Sequence, residues 1–454
     1  MSMTGLARVT IASPRRRIDV ALPEGSPVAE LLPRILAHAG EGLADEGETH
    51  GGWMLRRADG TPLTPGRTLT AHNIHDGEIL YLVPRRAQWP ELDYDDVVDA
   101  IATGAKAHGP AWSGPATRRT ALTIAGVALA LGWLALLFPV PGSGRLIPGL
   151  FALGTGLVLV VTGIVLARAL ADGLAGATVA LYGLPYGFLG GLTVLADPAF
   201  TPANLLLGSA ALLVLAVTGY AGVADTPRFF AAAITTALYG LLGGLLALWL
   251  GPAGAAALVA TALLGLTAAY PLLSMRLGKL PVPAVTIPDD GLAPLPDRAR
   301  VFSAVARADE LLTGMLQATL VTWAATAAIL TLHAGVPAGI LVLVVSAALI
   351  LRARLFPAVR HRLPLLVSGV LGLTALTLTL LAAASPAVRL VAGFGTLLVL
   401  AGAVLTAGLV YSRRTPSPYL GRAADILDVV LVISVVPVAC SVLGLYSLLR
   451  GLGG

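Results

Sequence analysis

The chain has 454 residues, 56% of them hydrophobic and only 12% charged, with a mean hydropathy of +0.83; this lies well outside the mix of a soluble globular protein and places most of the chain in lipid. Its formal net charge of +5 does not point to nucleic acid, because the arginines, 28 against two lysines, mostly sit in loops beside hydrophobic spans, where membrane topology accounts for them. Cys440 is the single cysteine and reads as a small packing residue in an apolar run, which excludes a disulfide framework and a Cys-based metal site.

In chain order, Met1 to Ser13 lacks the apolar run of a signal peptide, so this end is expected in the cytoplasm. Polar and apolar residues then alternate over Arg8 to Ile11 and Arg17 to Leu22, which predicts a hairpin. Ser26-Pro27 is the expected start of a helix with Val28, Leu31, Leu32, Ile35 and Leu36 on one face, ending at Gly40, with Pro33 as a kink or an early stop. Further strands are predicted at Trp53 to Arg57 and Ile79 to Val83, separated by the turn-rich Ala58-Asp59-Gly60 and Asp76-Gly77. The order β-β-α-β-β is that of the β-grasp fold, and Thr68-Leu69, Asn73-Ile74 and Ile79 to Val83 resemble the closing segment of ubiquitin. The domain carries no terminal Gly-Gly at its own end, so it reads as a docking module rather than a conjugated tag. His72 and His75 are spaced as a ligand pair but lack a third ligand, and solvated turn histidines are the expectation.

Residues 85–119 read as a linker. Within it Asp93, Asp95, Asp96 and Asp99 interleave with Val97, Val98, Ile101 and Ala105, the pattern of a short amphipathic helix with acid at its N-terminal end. Asp95, Asp96, Val97, Val98 and Asp99 are its candidate partner-contact residues; a capped helix packing on its neighbours is the plainer reading.

A span needs roughly twenty apolar residues. About eleven such runs follow in 120–454: Thr120–Val140, Leu146–Ala167, Gly173–Leu195, Ala203–Val223, Phe229–Leu250, Ala253–Leu273, Leu312–His333, Val336–Leu351, Leu363–Ala384, Val388–Val410 and Ile426–Leu449. The fold class is therefore mixed: an N-terminal ubiquitin-like β-grasp domain (1–84), a linker, and an all-α polytopic membrane domain.

Loop charges test the count, because Lys and Arg gather on the cytoplasmic side. With the N-terminus inside, that side carries Arg168, Arg228, Arg276, Lys279, Arg298, Arg300, Arg307, Arg352, Arg354, Arg360, Arg362, Arg413, Arg414 and Arg422, against Arg145, Arg389 and Arg450 opposite. This supports an odd number of crossings and an extracytoplasmic C-terminus. No Asp, Glu, Lys or Arg sits near the middle of any run, which counts against an ion-coupled transporter. Asp425 and Asp428, at the start of the last run, read as interface-level acids. Gly183, Gly187 and Gly191 in the third run and Gly240 with Gly244 in the fifth are candidate helix-packing positions, within the subunit or across a dimer face.

The layout resembles the EccD family of the actinobacterial type VII (ESX) secretion system, and the resemblance covers nearly the whole chain. Its more specific pieces are Gly52-Trp53-Met54-Leu55-Arg56-Arg57, Asp76-Gly77-Glu78, Tyr94-Asp95-Asp96-Val97-Val98-Asp99-Ala100, Arg276-Leu277-Gly278-Lys279-Leu280-Pro281-Val282-Pro283 and Ala308-Asp309-Glu310-Leu311-Leu312-Thr313-Gly314. It implies a scaffold subunit of the inner (cell) membrane, paired into rafts beside an FtsK/SpoIIIE-type ATPase and further membrane components. It carries over no active-site residue and no cofactor. The chain has no G-x-x-x-x-G-K-[ST] loop, so energy is expected from a partner. Two other functions stay open: a multispan permease of a small solute, against which the uncharged spans count, and a lipid-modifying membrane enzyme, for which the seven scattered histidines offer no cluster.

Overall fold

The structure, a computed structural model, describes residues 5–14, 16–40, 42–43, 47, 51–85, 112–138, 145–195, 200–223, 225–280, 298–333, 335–413 and 417–447. The acidic linker residues Asp95, Asp96, Val97, Val98 and Asp99 lie outside them. The chain divides into two compact units, residues 1–112 and 113–454.

In the first unit, strands β1 (Leu6–Ala12) and β2 (Arg17–Pro23) form the expected hairpin, followed by helix α1 (Val28–Ala39) and strands β3 (Trp53–Arg57) and β4 (Ile79–Pro84). The sheet order is β2-β1-β4-β3, with β1 parallel to β4 and both outer pairs antiparallel. That is the β-grasp arrangement. Alternation along the strands sends Val9, Ile11, Leu55, Leu80 and Leu82 inward onto Leu31 and Ile35 of α1, and Leu69 closes the core. Pro27 rather than Ser26 occupies the N-cap position, and Pro33 sits inside α1 without interrupting it.

In the second unit the long helices are α2 (Gly114–Ala135), α3 (Leu146–Arg168), α4 (Gly173–Thr193), α5 (Pro202–Gly222), α6 (Pro227–Thr267), α7 (Tyr270–Leu277), α8 (Arg298–His333), α9 (Val336–Arg352), α10 (Val359–Ala383), α11 (Pro386–Tyr411) and α12 (Pro418–Val442). Eight of those described are long and apolar enough to cross a membrane. Helix α6 is two rods. Gly251 leaves the helical region at φ 68, ψ 173 just before Pro252, and the hydroxyls of Tyr239 and Tyr270 meet at 2.7 Å although 31 residues separate them. A straight helix would hold those residues roughly 46 Å apart, so the two arms run antiparallel, as the separate runs before and after Gly251 predict.

Helices α2, α8, α10 and α12 all begin well before their apolar runs, and the first two show why. Helix α2 starts at Gly114, inside the stretch assigned to the linker, because Ser113 caps it by accepting from the Ala116 amide and Pro115 suits the first turn. Helix α8 starts 14 residues before Leu312, since the charged segment Arg298 to Leu311 keeps helical φ/ψ with partners on neighbouring helices. At 36 residues it is about 54 Å long, well beyond the ~30 Å hydrocarbon core.

The tightest packing joins α3 and α4 through glycines spaced seven apart on each. Backbone atoms of the partner lie within 2.5–2.9 Å of where a Cβ would stand at Gly156 (from Gly183 and Gly187), Gly163 (from Gly176) and Gly190 (from Gly149 and Leu153). Gly149, Gly156 and Gly163 thus run antiparallel to Gly176, Gly183 and Gly190 in one register, with no room for a side chain. Replacing Gly156 with Leu is expected to lower stability by at least ~1–3 kcal/mol, as overpacking does. Gly402→Leu, at a position with open space around it, should leave thermal unfolding in detergent unchanged.

Candidate functional site

The five glycines singled out for their four-residue spacing all meet helices of the same chain. Gly183 faces Gly156 and Val160 of α3, whereas Gly187 and Gly191 turn to Leu215 and Leu207 of α5. Gly240 abuts Ser209 and Gly244 abuts Leu206, again between α6 and α5. The seven-residue glycine series on α3 and α4 escaped the sequence reading, although its regular spacing was there to be found.

At one end of the bundle the charged residues pair with each other. Asp309 and Glu310 of α8 sit between α6 and α10: Arg228 lies 3.5 Å from Glu310, Arg360 pairs with Asp309, and the imidazole of His361 stands 3.3 Å from Asp309 and 3.0 Å from the Thr313 hydroxyl. Gly314 lets the helix close on the Arg228 carbonyl and Ala231, and Ala308 rests against Gly278. The motif Ala308 to Gly314 is therefore a joint among four helices. Lys279 follows Gly278 in the left-handed region at φ 53 and ends α7, its amide donating to the Arg276 carbonyl.

A second joint fastens the last helix. Arg352, at the end of α9 and buried, donates to the Leu264 carbonyl and the Thr267 hydroxyl of α6 and lies 3.6 Å from Asp428 of α12. Arg354 meets Asp425 at 2.9 Å and the Gly421 carbonyl at 3.2 Å. Asp425 and Asp428 are thus ion-pair partners, beyond the interface-level role expected of them. Around the other helices, Arg168 donates to the terminal carbonyls Ala221 and Gly222 of α5, Arg118 pairs with Asp172, and Asp172 caps α4 by accepting from the Ala175 amide.

In the β-grasp unit the similarity motifs are likewise structural. Asp76 accepts from the Arg8 amide at 2.6 Å, Gly77 takes φ 85, and Glu78 pairs with Arg57 at 2.7 Å. Arg57 also donates to the carbonyls of His72 and Asn73, both at 2.7 Å, and the Trp53 indole donates to Leu43. The His72 ring contacts the Thr64 carbonyl at 3.1 Å. Among the described residues no three His, Cys, Asp or Glu side chains are grouped to hold a metal ion.

Residues 117–452 match the EccD-like transmembrane domain, and residues 6–82 match YukD of the WXG100 protein secretion system. The chain is 29% identical to the ESX-4 secretion system protein eccD4 of Mycobacterium tuberculosis over 468 residues, covering 99% of this chain and 98% of that one. It is 28% identical to the ESX-3 secretion system protein EccD3 of the same organism over 484 residues, covering 97% and 98%. In fold it is similar to protomer 1 of the ESX-3 core complex, with a TM-score of 0.62, 21% identity and coverage of 98% and 100%. A chain of the MycP5-free ESX-5 inner membrane complex in State II gives a TM-score of 0.56 at 18% identity, with coverage of 88% and 99%.

Burial ranks the two joints. The Arg360 side chain is half exposed, where an ion pair contributes about 0–1 kcal/mol, whereas Arg352 loses its counter-ion in a buried setting if Asp428 is removed. Asp428→Ala is therefore expected to cost about 3 kcal/mol, and Asp425→Ala, at an exposed carboxylate, under about 1 kcal/mol; paired thermal melts in detergent check the order.

Proposed function

The chain belongs to the EccD family, and from that membership we propose that it is a non-catalytic structural subunit of a type VII protein secretion complex, paired in the membrane and docking a cytoplasmic motor through its N-terminal domain. The observation that carries this is the coincidence of the EccD-like match, residues 117–452, with a helical region whose motif residues are spent on joining helices. Charges used this way position a scaffold and leave no group for proton relay at the bilayer centre. The match of residues 6–82 to YukD, over a domain with its own core, supports an autonomous docking module.

Eleven crossings follow if the two arms of α6 count separately and α2 and α4, 22 and 21 residues long, also span. The charge split then puts the N-terminus inside and the C-terminus outside. Pairing is supported by α11, which buries none of its residues within the chain, and by the face of α2 turned away from Tyr182 and Tyr186 of α4; both surfaces are left to lipid or to a second copy. The expected partners are an FtsK/SpoIIIE-type ATPase and further type VII membrane components.

A reporter active only in the cytoplasm should work when fused after Gly291 and fail after Gly454; activity at both would overturn the odd count. For docking, a chain beginning at Trp112, which keeps the Ser113 cap, is compared with the full chain. Insertion and pairing should persist while co-purification of the ATPase and secretion fall. Normal recovery of both would remove the docking role.

A further inference from the structure

A groove of about 570 Å³ opens among α4, α5, both arms of α6, and α8. It is lined almost wholly by apolar side chains, and both Phe229, near the start of α6, and Pro252, at its turn, border it. Those residues are roughly 34 Å apart at 1.5 Å per residue, so the groove follows nearly the full ~30 Å of hydrocarbon. A groove of that length with an apolar lining matches an extended hydrocarbon chain. Exposed Val321, Ala325 and Phe229 form its mouth on the outer surface of the bundle, whereas Leu212 and Val259 are buried inside it.

Two buried hydroxyls, Ser209 and Thr322, line the groove, and neither has a hydrogen-bond partner among the described residues. We infer that this groove is a lipid site that takes the acyl chain of a membrane phospholipid, entering sideways between α6 and α8 and lying along the helices. The inference rests on the membrane-spanning reading above. Gly240 and Gly243 border the groove, so the small residues that let α6 approach its neighbours also leave room for the chain.

The test uses the full chain in vesicles of phosphatidylglycerol and phosphatidylcholine, with a trace of phosphatidylcholine carrying a mid-chain diazirine. After irradiation, adducts are mapped by peptide mass spectrometry. Adducts are expected on Leu212 and Val259 as well as on outward-facing Leu378. Ala325→Phe, which plugs the mouth at an exposed position, should cut the Leu212 and Val259 adducts at least fivefold and leave Leu378 unchanged. Ala233→Phe, which fills the groove from within, should do the same. Adducts on Leu378 alone, or groove adducts indifferent to both variants, would overturn the lipid site. Absence of adducts at all three positions would overturn the membrane reading and the site with it.

Discussion

Helices in lipid gain little by hiding apolar surface from one another, because lipid tails are as apolar as leucine; what remains is close approach of backbones. The antiparallel glycine series of α3 and α4 meets that constraint most fully, with carbonyl and amide groups of one helix against the bare Cα of the other. From this pair the packing propagates: the second face of α4, through Gly187 and Gly191, seats α5. Helix α5 in turn receives the first arm of α6 at Gly240 and Gly244. Each step exchanges side-chain volume for proximity.

A different chemistry holds the other half. Around α8 and α9 the core is large and branched, with Trp323, Leu316, Leu330, Leu341 and Val345 fully buried. Here the helices are registered at one end by ion pairs: Asp309 and Glu310 against Arg228 and Arg360, and Arg352 against Asp428. Because charges are costly in hydrocarbon, placing these pairs at or near the ends of the apolar runs, at one end of the bundle, gains specificity of position without the penalty of a charge at mid-membrane.

The β-grasp unit follows the rules of water instead. Its core forms by strand alternation against one helix, and its turns are closed by Asp76, Glu78 and Arg57 acting on backbone groups. Motif residues that the structure describes thus join elements in both units. Helix α11 buries none of its residues within the chain, and α2 meets the chain through one face only, against α4.

Local and periodic information was legible in the chain. Strand alternation, the helical stripe from Val28, turns at Asp76-Gly77 and the apolar runs all act through near neighbours; the strands, the stripe and the turn stand in the described structure, whereas helix ends moved and the run Ala253–Leu273 is broken between Thr267 and Tyr270. The ends moved at Gly114 and Arg298 because a cap or a partner on another helix, rather than hydropathy, decides where a helix starts. What the tertiary structure alone decided was pairing across distance: that Gly156 meets Gly183, that Asp428 meets Arg352, that Glu310 meets Arg228, and that α6 folds back to join Tyr239 to Tyr270. Spacing along one helix states which residues share a face but not which helix that face will meet, since in lipid every apolar face is equally soluble until two backbones fit.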